Sequence, residues 1–188
     1  MELELMRHSW ADLQGVGGEV GMMPRLVLDL VRAKDRAQAE EACTRINSLV
    51  FWNGLLSQVS PALASALVHG LWHRGEHSED LILGLLADIA GGFVDERDST
   101  AFGEVSVEDC LREVCRGYPA YVEILETGVN ADSRTACIDL IVQCGLADSG
   151  LRDRSIFFLV EAVRRADLAQ YRSVIEDSLN EPRAVEGG

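Results

Sequence analysis

Three histidines, His69, His73 and His77, recur at intervals of four in the segment LVHGLWHRGEH, with Glu76, Glu79 and Asp80 close by. On a helix that interval returns side chains to one face, and imidazoles so placed can hold a divalent metal. Two features weigh against such a centre. Gly70 and Gly75 weaken the helix and put His77 beyond its end, and no HExxH arrangement is present. A histidine near a helix C-terminus is also favoured by the helix dipole alone. The expectation is a capping or surface role, with a metal-dependent protein using His69, His73 and His77 as the minor alternative.

The other reactive residue types are no better arranged. Cys110 and Cys115 are five apart, a spacing that fits neither a CxxC redox pair nor a zinc knuckle. Cys137 and Cys144 lie two helical turns apart, and Cys43 stands alone. Scattered, odd in number and set among apolar neighbours, these thiols read as reduced packing residues in a cytoplasmic protein. No GxSxG elbow occurs. The run Gly15-Val16-Gly17-Gly18 has no preceding strand and no following Lys-Ser or Lys-Thr, so it is not a phosphate loop. No catalytic residue, cofactor or metal is expected, and the chain is not read as an enzyme.

What remains is charge. Seventeen basic residues face 31 acidic ones, a net charge of −14. Such a surplus repels phosphate backbones and argues against nucleic acid as a partner. It keeps a protein soluble and steers it toward a basic partner. Asp95, Glu96 and Asp98 share one polar segment, with Glu104 at its far end, and Glu76, Glu79 and Asp80 occupy the preceding turn. These seven acids are the candidate partner-binding residues. In stacked helices consecutive turns lie on opposite edges, so they form one ridge only if the long segment folds back. Trp10, Phe51, Trp52 and Trp72 are assigned to core and end-cap packing, with a tryptophan as interface anchor the alternative.

The elements that must position these residues are helices. Ala, Leu and Val are abundant while aromatics are 6%. Residues 1–20 carry little pattern and read as a lead-in. Pro24 opens a first helix with Leu26, Val27, Leu30 and Val31 on one stripe. Asp35 caps a second running to about Trp52, with Ala39, Cys43, Ile46, Leu49 and Val50 inward. Ser60-Pro61 starts a third that Gly75 ends. Ser78 caps a fourth that closes at Gly91-Gly92. After the connection 92–105, Ser106 with Asp109 resembles a capping box. Tyr118-Pro119 kinks that helix or starts the next. Asp132 caps a helix ending at Gly145, another runs through RSIFFLVEAVRRA, and Asp167 opens the last, with a frayed tail over 182–188. About eight or nine short antiparallel helices result, with no convincing strand. No apolar run approaches the ~20 residues a membrane span needs, and MELELMRHSW does not read as a signal peptide.

The segment GVNADSRTACIDLIVQCG resembles the second half of a HEAT unit. Asp132 is the cap, Arg134 sits beside it, Ala136 and Cys137 take the small positions, and Leu140 and Ile141 fill the core. With INSLVFWNGLLSQVSPALASALVHGL, EDLILGLLADIAGGF and CLREVCRGYPAYVEILE, the arrangement is similar to actinobacterial HEAT-repeat proteins of unassigned activity, over residues 37–180. It departs from that pattern at Ser133, where valine is usual, and in helix pairs lacking the Asp-and-Arg signature. The resemblance implies an α-α superhelix over 21–181 and carries no catalytic residues. It is compatible with a non-catalytic protein-binding module. The favoured reading is an immunity protein that neutralises a basic toxin domain through its acidic surface. The alternative is a HEAT-type scaffold or regulatory adaptor.

Overall fold

The structure is a computed structural model, and it describes residues 1–95, 98 and 101–184, with the backbone alone at 19 and 180–184. The chain is all-α, with ten α-helices among the described residues and a single two-residue hairpin. It divides into two compact units, Met1–Gly117 and Tyr118–Gly188, where one helical domain over 21–181 was expected. No helix among the described residues is long and apolar enough to cross a membrane.

The first unit opens with α1 (Glu2–Met6), a 3-10 turn at Trp10–Asp12 and a hairpin of β1 (Gln14–Gly15) against β2 (Gly18–Glu19). This corrects the reading of residues 1–20 as an unpatterned lead-in. Trp10 is buried and donates its indole N–H to the Leu5 carbonyl at 2.6 Å. The Glu4 carboxylate accepts from the Ser65 hydroxyl at 2.7 Å and from Arg7 at 2.9 Å. Burial pushes the Glu4 carboxyl up, but the Ser65 and Arg7 hydrogen bonds and the Arg7 charge outweigh it and hold it below its ordinary value. Ser65, which anchors this segment, is remote in sequence, so no local period announces that contact.

Helix α2 (Met23–Val31) carries Pro24 in its first turn and buries Met23, Leu26, Val27, Leu30 and Val31, the stripe its spacing predicts. Helix α3 (Arg36–Val50) is capped by Asp35, whose carboxylate accepts from the Gln38 N–H at 2.9 Å. Its buried face is Ala39, Ala42, Ile46 and Val50, with Cys43 and Leu49 half-buried at its margin. Helix α4 (Ser60–Leu71) buries ten of its twelve residues and packs on α1, α2 and two helices that follow, α5 (Glu79–Ala90) and α6 (Val107–Cys115). An element enclosed on that many sides must be apolar around most of its circumference, and α4 is.

Two of the expected caps are used differently. Ser60 is the first residue of α4, and its hydroxyl accepts from the Ser57 N–H at 3.1 Å. Ser78 precedes α5 but closes a turn with Gly75, accepting from its N–H at 3.2 Å, and makes no side-chain bond to the helix. Helix α4 ends at Leu71, before Gly75. Ser106 does cap α6, accepting from the Asp109 N–H at 3.3 Å.

The second unit is α7 (Tyr118–Thr127), α8 (Ala131–Ala147), α9 (Ser149–Arg164), a 3-10 turn at Ala166–Tyr171 and α10 (Arg172–Ala184), each α-helix packed on the next. Asn130, not Asp132, caps α8, accepting from the N–H groups of Asp132 at 2.8 Å and Ser133 at 3.2 Å. Gly145 does not end α8. It lies buried inside that helix, where an added Cβ would come within 2.8 Å of Ser155 on α9, so the glycine permits the close crossing. Asp167 does not open the last helix. Its carboxylate accepts from Arg165 at 3.0 Å and Arg134 at 2.9 Å, and hydrogen bonds from these two hold it well below the usual carboxylate range. Arg134 is buried and donates also to the Leu125 carbonyl at 3.0 Å, tying the end of α7 to the start of α8.

Candidate functional site

Six of the seven acids proposed from sequence lie among the described residues, and they separate into two places. Asp80 lies in the first turn of α5, and both its oxygens accept from one nitrogen of Arg36 at the start of α3, at 2.6 and 2.7 Å. Glu79 beside it accepts from Arg74 at 2.6 Å. These two carboxylates are engaged within the chain, while Glu76 is exposed in the turn before them. The other group belongs to the connection after α5. Its entry is fixed by the Phe93 N–H donating to the Gly54 carbonyl at 3.1 Å and the Leu56 N–H donating to the Phe93 carbonyl at 2.9 Å. Its exit is fixed by the Gln58 N–H donating to the Phe102 carbonyl at 2.9 Å. The connection is therefore fastened beside the segment that leads into α4, whereas Glu76, Glu79 and Asp80 follow the end of α4. A twelve-residue helix spans about 18 Å. The two groups stand at opposite ends of α4 and α5 and do not make one ridge. Glu104 is exposed, and Asp95 is half-buried and Asp98 exposed; Glu96 lies outside the described residues.

The histidines do not converge. His69 and His73 have ring centroids 5.8 Å apart, and burial, with the N-terminal ammonium charge, pushes the His69 imidazole below its ordinary value. His77 stands past the end of α4 with its Nε2 3.4 Å from the Glu76 carboxylate. Among the described residues no three His, Cys, Asp or Glu side chains come together as a metal cage. The aromatic expectation holds for Trp10 alone among the tryptophans. Trp52 and Trp72 are 59% and 62% exposed, and Phe51 is half-buried.

A different constellation emerges at the far ends of α3 and α5. The Arg36–Asp80 pair joins the starts of these helices, and a cleft of about 330 Å³ is lined by Asn47 and Phe51 from the end of α3 and by Ala87, Asp88 and Gly91 from the end of α5. The two helices thus run in the same direction and present both C-termini to one cleft. Asn53 and Gly54 complete its lining. They form the tight turn between α3 and α4, with φ of 50° and 82°, a left-handed pair that suits Asn-Gly. The exposed ring of Phe93 lies against Gly54, 3.0 Å from where a Cβ would stand.

Asp88 has neither a hydrogen-bond nor an ion-pair partner among the described residues. Burial by the surrounding wall pushes its carboxyl above the ordinary value. The residue as a whole stays exposed, so solvent screens much of that effect. Behind it the Cys43 thiol is pushed up to about 11, by burial first and then by the charges of Asp88 and Asp80. Sequence reading passed over Asp88, yet a signal was present. An acid in the last turn of a helix meets the negative end of the dipole, and α5 carries no basic residue there.

Comparison with protein-family models, with curated proteins and with solved structures finds no match.

Proposed function

We propose that this chain is a non-catalytic protein-binding module, and within that class an immunity protein that neutralises a basic toxin domain through an acidic surface. The observation that carries the reading is the uneven placement of acid. Between residues 88 and 109 seven acids stand against one base, Arg97. An anionic surface speeds encounter with a basic one and makes binding sensitive to salt. We read the helices as HEAT-like pairs in a superhelix, a reading supported by the packing of α2 on α3, α4 on α5 and α7 on α8. The enclosure of α4 by four helices departs from a simple stack, in which each helix meets only its near neighbours.

Capture on the tagged full chain from its native strain, followed by mass spectrometry, tests the function. The expected result is one stoichiometric partner with a basic domain, released by high salt and encoded directly beside this gene. A salt-sensitive basic partner encoded elsewhere would favour the adaptor reading. Absence of any stoichiometric partner, or a partner indifferent to salt, would overturn the acidic-surface reading. Replacing Asp95, Glu96 and Asp98 together by Asn or Gln should slow association with the captured partner.

A further inference from the structure

We propose that the cleft between the ends of α3 and α5 receives an arginine side chain of a protein partner, with Asp88 as its counter-ion. The inference rests on the protein-binding reading above and gives that partner a chemistry. It commits to a place the seven candidate acids did not include.

Three independent features select a cation. The first is Asp88, a carboxylate on the cleft wall with no partner among the described residues. In this chain most arginines near a carboxylate are already held by one, as Arg36 is by Asp80 and Glu40 and Arg74 by Glu79. The second is the pair of helix C-termini. Both α3 and α5 end at this cleft, and neither has a basic residue in its last turn. Each end carries a partial negative charge that favours a cation, and here the two ends reinforce a full negative charge. Among the described residues no Lys, Arg or His lines the cleft. The third is the aromatic rim. Phe51 lines the cleft, Phe93 lies on Gly54, and Trp52 stands exposed next to Phe51 in the chain. Aromatic faces attract guanidinium more often than ammonium, and tryptophan and arginine are both enriched at interface hot spots.

Size and shape narrow the occupant. A cleft of about 330 Å³ is at the floor of the ~300–1,000 Å³ range of small-molecule pockets, which suits one long side chain better than a cofactor. The side-chain carbonyls of Asn47 and Asn53 can accept beside the carboxylate, and a planar fork of five donors fits that arrangement better than a point charge. A neutral guest would leave the Asp88 charge uncompensated. The cleft also lies at the end of α5 from which the acidic connection leaves, so long-range attraction and local recognition act at one end of the unit.

The test uses the full chain labelled with nitrogen-15 and a capped tripeptide, Gly-Arg-Gly, in physiological salt. Its control is the same peptide with citrulline in place of arginine, which keeps the shape and loses the charge. Saturable shifts are expected at the amides of Asn53, Gly54 and Gly91 with the arginine peptide, and at least tenfold weaker binding with citrulline. Asp88→Asn should weaken the arginine peptide at least fivefold, whereas Asp153→Asn, which removes the same formal charge at an exposed position on α9, should leave it unchanged. Diffuse shifts, equal binding of the two peptides, or equal effects of the two substitutions would overturn the proposal. So would shifts at these amides on concentrating the protein alone, which would make the occupant a second copy. A captured basic partner whose binding ignores Asp88→Asn would leave the protein-binding reading standing and remove this cleft from it.

Discussion

Replacing Arg134 by methionine removes a buried guanidinium while keeping most of its apolar stem. Arg134 is 8% exposed, donates to the Leu125 carbonyl at 3.0 Å, and lies 5.8 Å from the centre of the Tyr171 ring. A hydrogen bond from a charged donor contributes about 1.5–3 kcal/mol, and its loss leaves the Leu125 carbonyl short of a partner. The contact with the tyrosine face adds about 0.5–1 kcal/mol. The ion pair with Asp167 adds little, because that carboxylate is solvated and keeps Arg165 at 3.0 Å. Part of the loss is offset, since methionine does not have to be stripped of water as a guanidinium does. The expected net cost is about 2–3 kcal/mol. With a urea slope of about 1–3 kcal/mol per molar, the midpoint should fall by roughly 1 M. The chain supplies its own reporters. Trp10, Trp52 and Trp72 all lie in the first unit, and Tyr118, Tyr121 and Tyr171 in the second. Tyrosine second-derivative absorbance should therefore report the loss, and Arg134→Lys should recover only part of it, because lysine keeps the charge without the fork. A tyrosine-reported midpoint within about 0.3 M of the parent protein would refute the assignment of Arg134 as the tie between α7 and α8.

Two further outcomes follow from the first unit. Arg36→Ala should lower stability by about 1 kcal/mol, since it breaks the bond to a mostly buried Asp80 across α3 and α5, and tryptophan emission during urea unfolding reads it. Asp88→Asn should raise stability at neutral pH, by less than about 0.5 kcal/mol because the residue stays exposed. The sign comes from linkage. A carboxyl whose value is raised on folding makes the folded state bind more protons, so the parent protein loses stability as pH rises from the ordinary value of 3.8 through the raised one. Asparagine has no such loss. The two melting temperatures should converge below that value and separate by about 1 °C above it. A gap independent of pH would refute the desolvation account. The Cys43 thiol behind Asp88 is neutral throughout, being pushed up to about 11.

Helix existence was legible in the sequence because it depends on short-range periodicity. The stripe of Leu26, Val27, Leu30 and Val31 is buried in α2, and Asp35 caps α3 as its spacing predicts. Caps were read less well where two polar residues compete. Asn130 and Asp132 both precede the apolar run of α8, and which one caps depends on how the chain enters the helix, which no local pattern states. Gly145 reads as a stop by composition, yet its role is set by Ser155 on another helix. Residues 1–14 failed for the same reason, since Ser65 and Gln58 hold them from far along the chain. The cleft was least legible of all. It depends on α3 and α5 running in the same direction, which is a tertiary fact, although an acid in the last turn of α5 was a visible anomaly.

Solubility alone does not account for where the charge sits. An acidic surplus that only kept the chain in solution would be served by carboxylates scattered over exposed faces, each paired or well hydrated. Many are of that kind, such as Glu40 with Arg36, Asp109 with Arg112 and Glu161 with Arg164. Asp88 is not. It is placed against two negative helix ends, partly desolvated and without a cation among the described residues, each of which destabilises the folded chain. A residue that costs stability where a neutral isostere would not has its explanation outside the fold. Asp88→Asn therefore carries opposite signs in two assays, a more stable protein and a weaker grip on the arginine peptide. A structural role for Asp88 would move both measurements the same way.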